Sequence, residues 1–361
     1  RYIANPLFAW NTSIGQWSNL TDFPVYDLKP ERTNSFEVGM NMRFLKNFEL
    51  DVTYYNAKTM NQTFNPELPV GEYARIYIQT GAVRNQGLEL ALNYNNTWKD
   101  FTWNTGVTYS MNKNKILTLA DNAINPITRE KFSISSLNMG GLGSTRFILK
   151  EGGSMGDIYS LMDLKRDANG AVYIDENNSV VTESLEANNY IKLGSVLPKG
   201  NLAWRNNFSW KNINVAFLVS ARLGGVVFSR TQAVLDNFGV SEASAAARDK
   251  GYVSVNGNDR VNPEGWYSVV AGGTAVPQYY IYSATNIRLQ EASIGYTIPR
   301  KWLGNVCDIK VSLIGRNLWM IYNKAPFDPE SVASTDNFYQ GIDYFMMPSL
   351  RNIGFNLSFK F

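Results

Sequence analysis

The chain has 361 residues, a net charge of +3, no histidine and one cysteine, Cys307. Acids and bases are interspersed, which leaves no electrostatic footprint for nucleic acid. The missing imidazoles exclude Ser-His-Asp and Cys-His catalysis and any His-built zinc site within the chain.

No apolar run approaches the roughly 18 residues of a membrane helix, so any bilayer crossing is made by strands. The chain opens at Arg1 with no cationic, apolar leader after it, which reads as a mature or clipped product. Aromatics make up 13% of the residues, 20 of them Tyr and 9 Trp. In a β protein that excess suits sugar-binding surfaces, protein interfaces or membrane-edge girdles. Cys307, with no partner thiol or imidazole, reads as a small apolar residue at a strand start.

Residues 1 to 33 show no period and read as a loop. Phe36, Val38, Met40, Met42 and Phe44 then alternate with Glu37, Gly39, Asn41 and Arg43. After a turn at Lys46-Asn47, Phe48, Leu50, Val52 and Tyr54 alternate with Glu49, Asp51, Thr53 and Tyr55, which predicts a hairpin with its charges on one face. A long link over about 60 to 83 leads to Leu88, Leu90, Leu92 and Tyr94, a short turn at 98 to 100, and Phe101, Trp103, Thr105, Val107, Tyr109 and Met111.

Residues 113 to 144 read as another long link, followed by a weaker strand pair near 145 to 151 and 157 to 164. An acidic, Asn-rich segment runs to about 199. Leu202 to Trp210 and Ile213 to Ala221 form the next pair, and 225 to 284 is the longest link. In the strand over 285 to 298, Ile287 and Leu289 are out of phase with Ala292, Ile294, Tyr296 and Ile298, which predicts a bulge. A short link leads to Ile309, Val311 and Leu313. A long link then reaches the terminal strand, where Ile353, Phe355, Leu357, Phe359 and Phe361 share one face.

About eleven strands result, with short turns and long links in strict alternation. In an up-and-down meander that puts every short turn on one side and every long loop on the other, as in outer-membrane barrels and unlike Greek-key sandwiches. The polar strand faces are dominated by Asn, Gly, Ser and Thr, which suits a watery lumen. Tyr94, Trp103, Phe208 and Trp210 lie near strand ends, where interfacial girdles belong. Lumen-facing Arg43, Arg205 and Arg222 are expected to pair across the wall with Glu37, Glu49, Asp51 or Glu89. The expected fold is an all-β, antiparallel, up-and-down transmembrane barrel, of which this odd strand set is a part.

Several stretches carry a family resemblance. Residues 27 to 39, Asp-Leu-Lys-Pro-Glu through Glu37-Val38-Gly39, resemble the segment that opens a barrel strand in TonB-dependent receptors, and Asn85-Gln86-Gly87-Leu88-Glu89-Leu90 resembles another of their strands. Residues 194 to 201, 286 to 296, Gly315-Arg316-Asn317-Leu318, Pro326-Phe327-Asp328-Pro329-Glu330, Gly341-Ile342-Asp343 and the terminal Phe361 are similar to the SusC/RagA branch. The resemblance implies the C-terminal portion, residues 1 to 361, of a barrel of about twenty-two strands. It implies import of oligosaccharides or oligopeptides across the outer membrane, with a SusD-like lipoprotein lid and energy from TonB. No stretch of the chain matches the family's plug domain or TonB box. Phe355, Leu357, Phe359 and Phe361 match the pattern read by the barrel-assembly machinery.

Loop aromatics beside polar groups are the candidate contacts for ligand or lid: Tyr73, Tyr77, Trp266, Tyr267, Tyr279, Tyr280, Phe327, Phe338, Tyr339, Asp343, Tyr344 and Phe345. Flat rings stack on sugars or peptide side chains at little entropic cost, and they equally pack loops on one another. Asp167, Asn169 and Glu176 partly match a calcium loop, but Lys165 occupies the first ligand position and Asn169-Gly170 is a good hairpin turn in its own right. Gly140 to Ser144 lacks the Gly-Lys ending of a phosphate loop. The pairs Asp175-Glu176 and Asp328/Glu330 have glycosidase-like chemistry only on paper. No cofactor is expected, and the chain reads as a non-enzyme. The competing reading is a secreted all-β carbohydrate-binding protein, in which the apolar strand faces would converge on a dry interior.

Overall fold

The computed structural model describes residues 8–11, 16–19, 29–64, 78–124, 130–257, 259–273, 275–304, 306–334 and 339–360. Its frame is a nine-stranded antiparallel sheet in which every strand is hydrogen-bonded to its neighbours in sequence order. The strands are β1 (Arg32–Phe44), β2 (Phe48–Phe64), β3 (Ile78–Trp98), β4 (Phe101–Thr118), β5 (Gly200–Trp210), β6 (Ile213–Leu223), β7 (Asn286–Ile298), β8 (Asp308–Asn323) and β9 (Asn352–Lys360). The edges β1 and β9 are not paired to each other, so this part of the wall does not close on itself.

The register keeps the apolar alternation in phase across the whole sheet. Val52 sits opposite Leu90, and Leu90 opposite Tyr109. Leu313 faces Ile294 on one side and Phe355 on the other. A slip of one residue anywhere would turn that strand's apolar set to the polar face. The bulge lies in β7 at Gln290: Glu291 pairs with Leu218 and Leu289 with Val219, leaving Gln290 as the extra residue.

The apolar face is not a core. Phe36 and Phe359 are 63% and 52% exposed, and Leu90 and Phe217 belong to neither buried cluster. The secreted-protein alternative, which needs these four residues in a common dry interior, is not supported. At the short-turn end the apolar face carries a chain of ring contacts, from Phe44 and Phe48 through Tyr94, Trp98 and Phe101 to Phe208. Trp103 donates its indole N–H to Asn206 at 3.1 Å, and Trp204 donates to Thr105 at 3.0 Å. Rings with one polar end satisfied in this way are the material of an interfacial girdle.

Several sequence expectations change; the expected links at 60 to 83 and 113 to 144 are shorter, since β2 runs on to Phe64, β3 begins at Ile78 and β4 reaches Thr118. The weaker strand pair is not in the wall. Thr145–Lys150 and Asp157–Ser160 lie in the middle of a separate four-stranded sheet with Ser136–Leu142 and Ile191–Ser195. Among the described residues the wall strands therefore number nine rather than about eleven, and the alternation of short turns and long links survives the change. Residues 8 to 11 and 16 to 19, read as loop, pair as a two-stranded ribbon.

The dry core of the described residues belongs to the long links and to the cap ends of β3 and β4 beneath them. Phe147, Ile158, Leu164, Val196, Phe228, Tyr280 and Ile342 form one buried cluster; Val83, Ile116, Leu119 and Leu149 form another. Link 224–285 supplies three short helices, α1 (Arg230–Asn237), α2 (Glu242–Lys250) and α3 (Pro263–Val270). Ser229, Ser241 and Asn262 cap them by accepting from the amides of Gln232, Ser244 and Glu264. These links make a packed cap at one end of the wall, in which Val226 to Phe228 pair antiparallel with Ile281 to Ser283, and Phe228–Ser229 run parallel to Ile342–Asp343.

Candidate functional site

The residues that alternate with the apolar ones build the concave face. Its upper hollow, about 660 Å³ and open, is lined by Asp51, Thr53, Glu89, Thr108, Ser110, Asn201, Ser220, Arg222 and Glu330. A lower hollow of about 710 Å³ is lined by Glu49, Asn93, Asn104, Arg205, Asn207, Glu291 and Arg316 among others. The lower level is balanced in charge: Arg43 pairs with Glu49 at 3.3 Å and Arg316 with Glu291 at 3.1 Å. In the upper level Asp51 and Glu89 face Arg222, while Glu330 takes its own cation, Arg288, from behind the lining.

Arg43 thus pairs with Glu49 as expected. Arg222 does not pair with a wall carboxylate; it donates to the carbonyl of Val196 at 2.7 Å, tying the wall to the cap.

Glu330 reaches the hollow from link 324–351, and a buried clamp holds it there. Arg288 of β7, 4% exposed, pairs with Asp328 at 2.9 Å and with Glu330 at 3.0 Å. Asn323 donates to the carbonyls of Ala325 and Phe327, which fixes the start of the same link. Burial alone would raise the Asp328 carboxyl. Hydrogen bonds from Arg288, Ser349 and the Glu330 amide, with the Arg288 charge, outweigh that and leave it below the usual carboxylate range. The pair that looked like a glycosidase dyad is therefore an ion-pair anchor.

The loop candidates separate by burial. Tyr280 is 2% exposed and donates to Asp236 at 3.1 Å. Burial first, then the Asp236 charge, push its phenol far up, and push Tyr282 up to about 12. Asp343 is 5% exposed and accepts from Ser229 at 2.6 Å. Trp266 packs edge-on against Tyr279, and Phe327 against Tyr282. Tyr267 is half-buried, its phenol raised by burial and by Asp236. Tyr279, Tyr339 and Tyr344 remain exposed, and the last stacks edge-on with exposed Phe345. Tyr73, Tyr77, Phe338 and Phe361 lie outside the described residues. Phe355, Leu357 and Phe359 line the exposed apolar face of β9.

Asp167 is occupied by its own turn, accepting from the amides of Asn169 and Ala171, and Asp175 repeats the arrangement with Asn177 and Ser179. Among the described residues no group of three or more His, Cys, Asp or Glu is placed to hold a metal. Neither the clamp at Arg288 nor the lumenal position of Glu330 was among the expectations from sequence. The signal was there in the two prolines that bracket Phe327-Asp328, which stiffen a link that has to fold back.

The chain resembles known proteins along nearly its whole length. The model of the family described as TonB dependent receptor-like, beta-barrel matches residues 4–216. TonB-dependent receptor P3 of Formosa agariphila is 26% identical over 383 aligned residues, covering 95% of this chain and 35% of the relative. TonB-dependent receptor P26 of the same organism is 27% identical, covering 92% and 34%. The chain thus spans about a third of the length of these relatives. Among solved structures, the RagAB peptide transporter superposes with a TM-score of 0.67 at 16% identity, over 92% of this chain and 35% of that one. The RagAB peptide importer in its closed-closed state gives 0.69 at 16% identity, over 98% and 38%. The likeness to these solved structures is one of fold. The chain belongs to the TonB-dependent receptor β-barrel family, as a stretch of an outer-membrane barrel.

Proposed function

We propose that this stretch is part of the wall and extracellular cap of a TonB-dependent importer that moves oligosaccharides or oligopeptides, without chemical change, across the outer membrane. Its residues 1 to 361 form the C-terminal portion of the barrel. A SusD-like lipoprotein closes the cap, and TonB acts through a plug elsewhere in the protein. The observation that carries the reading is the division of faces: amides, hydroxyls and carboxylates line the concave side under the packed links, and large apolar groups cover the convex side that meets lipid. The exposed rings Tyr279, Tyr339 and Tyr344, with Trp266 and Tyr267 behind them, are the cap's contacts for ligand or lid.

Calorimetry of the full-length protein with its lipoprotein against a panel of neutral oligosaccharides and oligopeptides tests this. Micromolar binding that Tyr344→Ala or Tyr279→Ala weakens at least fivefold supports it. A panel without binders, together with full growth on every ligand in a deletion strain, overturns it.

A further inference from the structure

We propose that β1 to β4 carry, on their lipid-facing side at the cap end, a binding site for the phosphate groups of an anionic lipid of the outer leaflet. The inference goes beyond the import reading and rests only on the convex face meeting the membrane.

Charges on these four strands are sorted by face. Every carboxylate (Glu37, Glu49, Asp51, Glu89) alternates onto the concave side, whereas every cation except Arg43 alternates onto the convex side. The convex cations are also in register. Lys58 lies directly opposite Arg84, and Arg84 directly opposite Lys115. Lys113 sits two residues from Lys115, opposite Gln86, and Asn34 extends the row past Lys58. None of the four cations has an ion-pair partner among the described residues, and the Nε of Arg84 is buried without a hydrogen-bond partner.

Like charges directly opposite on adjacent strands destabilise a sheet. Three in a row, on a face with no acid, call for an anion from outside. Strand spacing puts the three side chains within about 10 Å, the reach of a phosphorylated headgroup.

The height of the row fits the outer leaflet. Lys58 is ten residues up β2 from Phe48, and Arg84 ten residues up β3 from Tyr94; Phe48 and Tyr94 face each other across the strands as a tilted ring pair of the short-turn girdle. Ten residues are about 33 Å of strand, or about 25 Å of height at a tilt of about 40°, the height of a barrel's apolar band. The row therefore stands at the headgroup level on the side of the long links. The lysines of the short turns, Lys46, Lys99 and Lys211, mark the opposite surface and serve as controls.

The test uses the full-length protein in nanodiscs of zwitterionic lipid doped with a phosphorylated outer-leaflet glycolipid, the same glycolipid after phosphatase treatment, or inorganic phosphate alone. Native mass spectrometry and thermal unfolding are the readouts. Wild type is expected to retain the phosphorylated lipid, and Lys58→Gln/Arg84→Gln/Lys115→Gln to bind it on the order of a hundredfold more weakly, at about fivefold per cation. Lys58→Arg/Arg84→Lys/Lys115→Arg should keep binding. In neutral detergent the Gln triple variant should be as stable as wild type or more so, which separates lost lipid from lost folding. Equal retention by the Gln triple variant and wild type, equal binding of the phosphatase-treated lipid, or an equal loss with Lys46→Gln/Lys99→Gln/Lys211→Gln would overturn the site. Saturation by inorganic phosphate with no preference for the lipid would also overturn it. Ligand uptake is not among the readouts, so a failure here leaves the import reading to its own experiment.

Discussion

Adjacent residues of β3 make the division between faces measurable. Leu90 points to the convex side and Ala91 to the concave side, where it lies opposite Asp51. Leu90 is four residues above Tyr94 of the girdle, or about 13 Å of strand and about 10 Å of height, close to the middle of a band about 25 Å tall. An arginine there meets hydrocarbon, so Leu90→Arg should cost about 2–4 kcal/mol. Tyr94→Arg, at the edge of the band, should cost about 0–1 kcal/mol beyond the lost ring contacts. Ala91→Arg, entering water beside Asp51, should be neutral or gain up to about 1 kcal/mol from the cross-strand pair. Heat-modifiable migration after refolding into vesicles over a urea series gives the three differences directly. If Leu90→Arg and Ala91→Arg cost the same, or the order is reversed, the assignment of faces is wrong for the whole sheet, because the register links every strand to β3.

Other expectations follow from single contacts. Arg288→Ala leaves the Asp328 carboxylate buried and unpaired and should destabilise the protein by about 3–5 kcal/mol in thermal unfolding. Because Asp328 is held below its ordinary range of about 3.9, its contribution is present above that pH and is lost as pH falls through the depressed value. The gap between wild type and Asp328→Asn should hold from pH 7 to about 4 and shrink below. Gly87→Ala puts a Cβ 2.2 Å from the Met111 carbonyl and 2.5 Å from the Tyr55 hydroxyl. A cost of about 1–3 kcal/mol is expected, only partly recovered by adding Tyr55→Ala, since the backbone contact remains. Tyr280→Phe removes a donor from buried Asp236 and should loosen link 224–285 by about 1.5–3 kcal/mol, read as faster proteolysis there with unchanged heat modifiability.

Local pattern carried the wall and failed in the cap. Each wall strand sees two uniform environments, so a period of two in its own residues sets which side chain faces which way. For the same reason the bulge near Gln290 was visible as a break of phase between Leu289 and Ala292. The pair at 145 to 151 and 157 to 164 shows the limit. Phe147 and Ile158 alternate as wall residues do, but their apolar groups are buried against Val196 and Phe228 from other links, and no local period distinguishes a partner strand from lipid. The helices of link 224–285 had capping signals at Ser229, Ser241 and Asn262. At eight or nine residues they are too short to be stable alone, and it is the packing of Ala233 and Val270 on Tyr280 and Phe228 that makes them form.

By itself, then, the order of residues determined the strands, their faces, the side of the long links and the family, since each is written in neighbours one, two or a few positions apart. Only the tertiary structure decided that the links form one packed cap, that Arg288 draws Asp328 and Glu330 to the lumen, and that Lys58, Arg84 and Lys115 meet in a row. The clamp and the row join residues some 26 to 42 positions apart in the chain, and the cap joins Ser229 to Asp343, 114 positions apart. Their energy depends on burial and register, which no stretch of sequence contains alone.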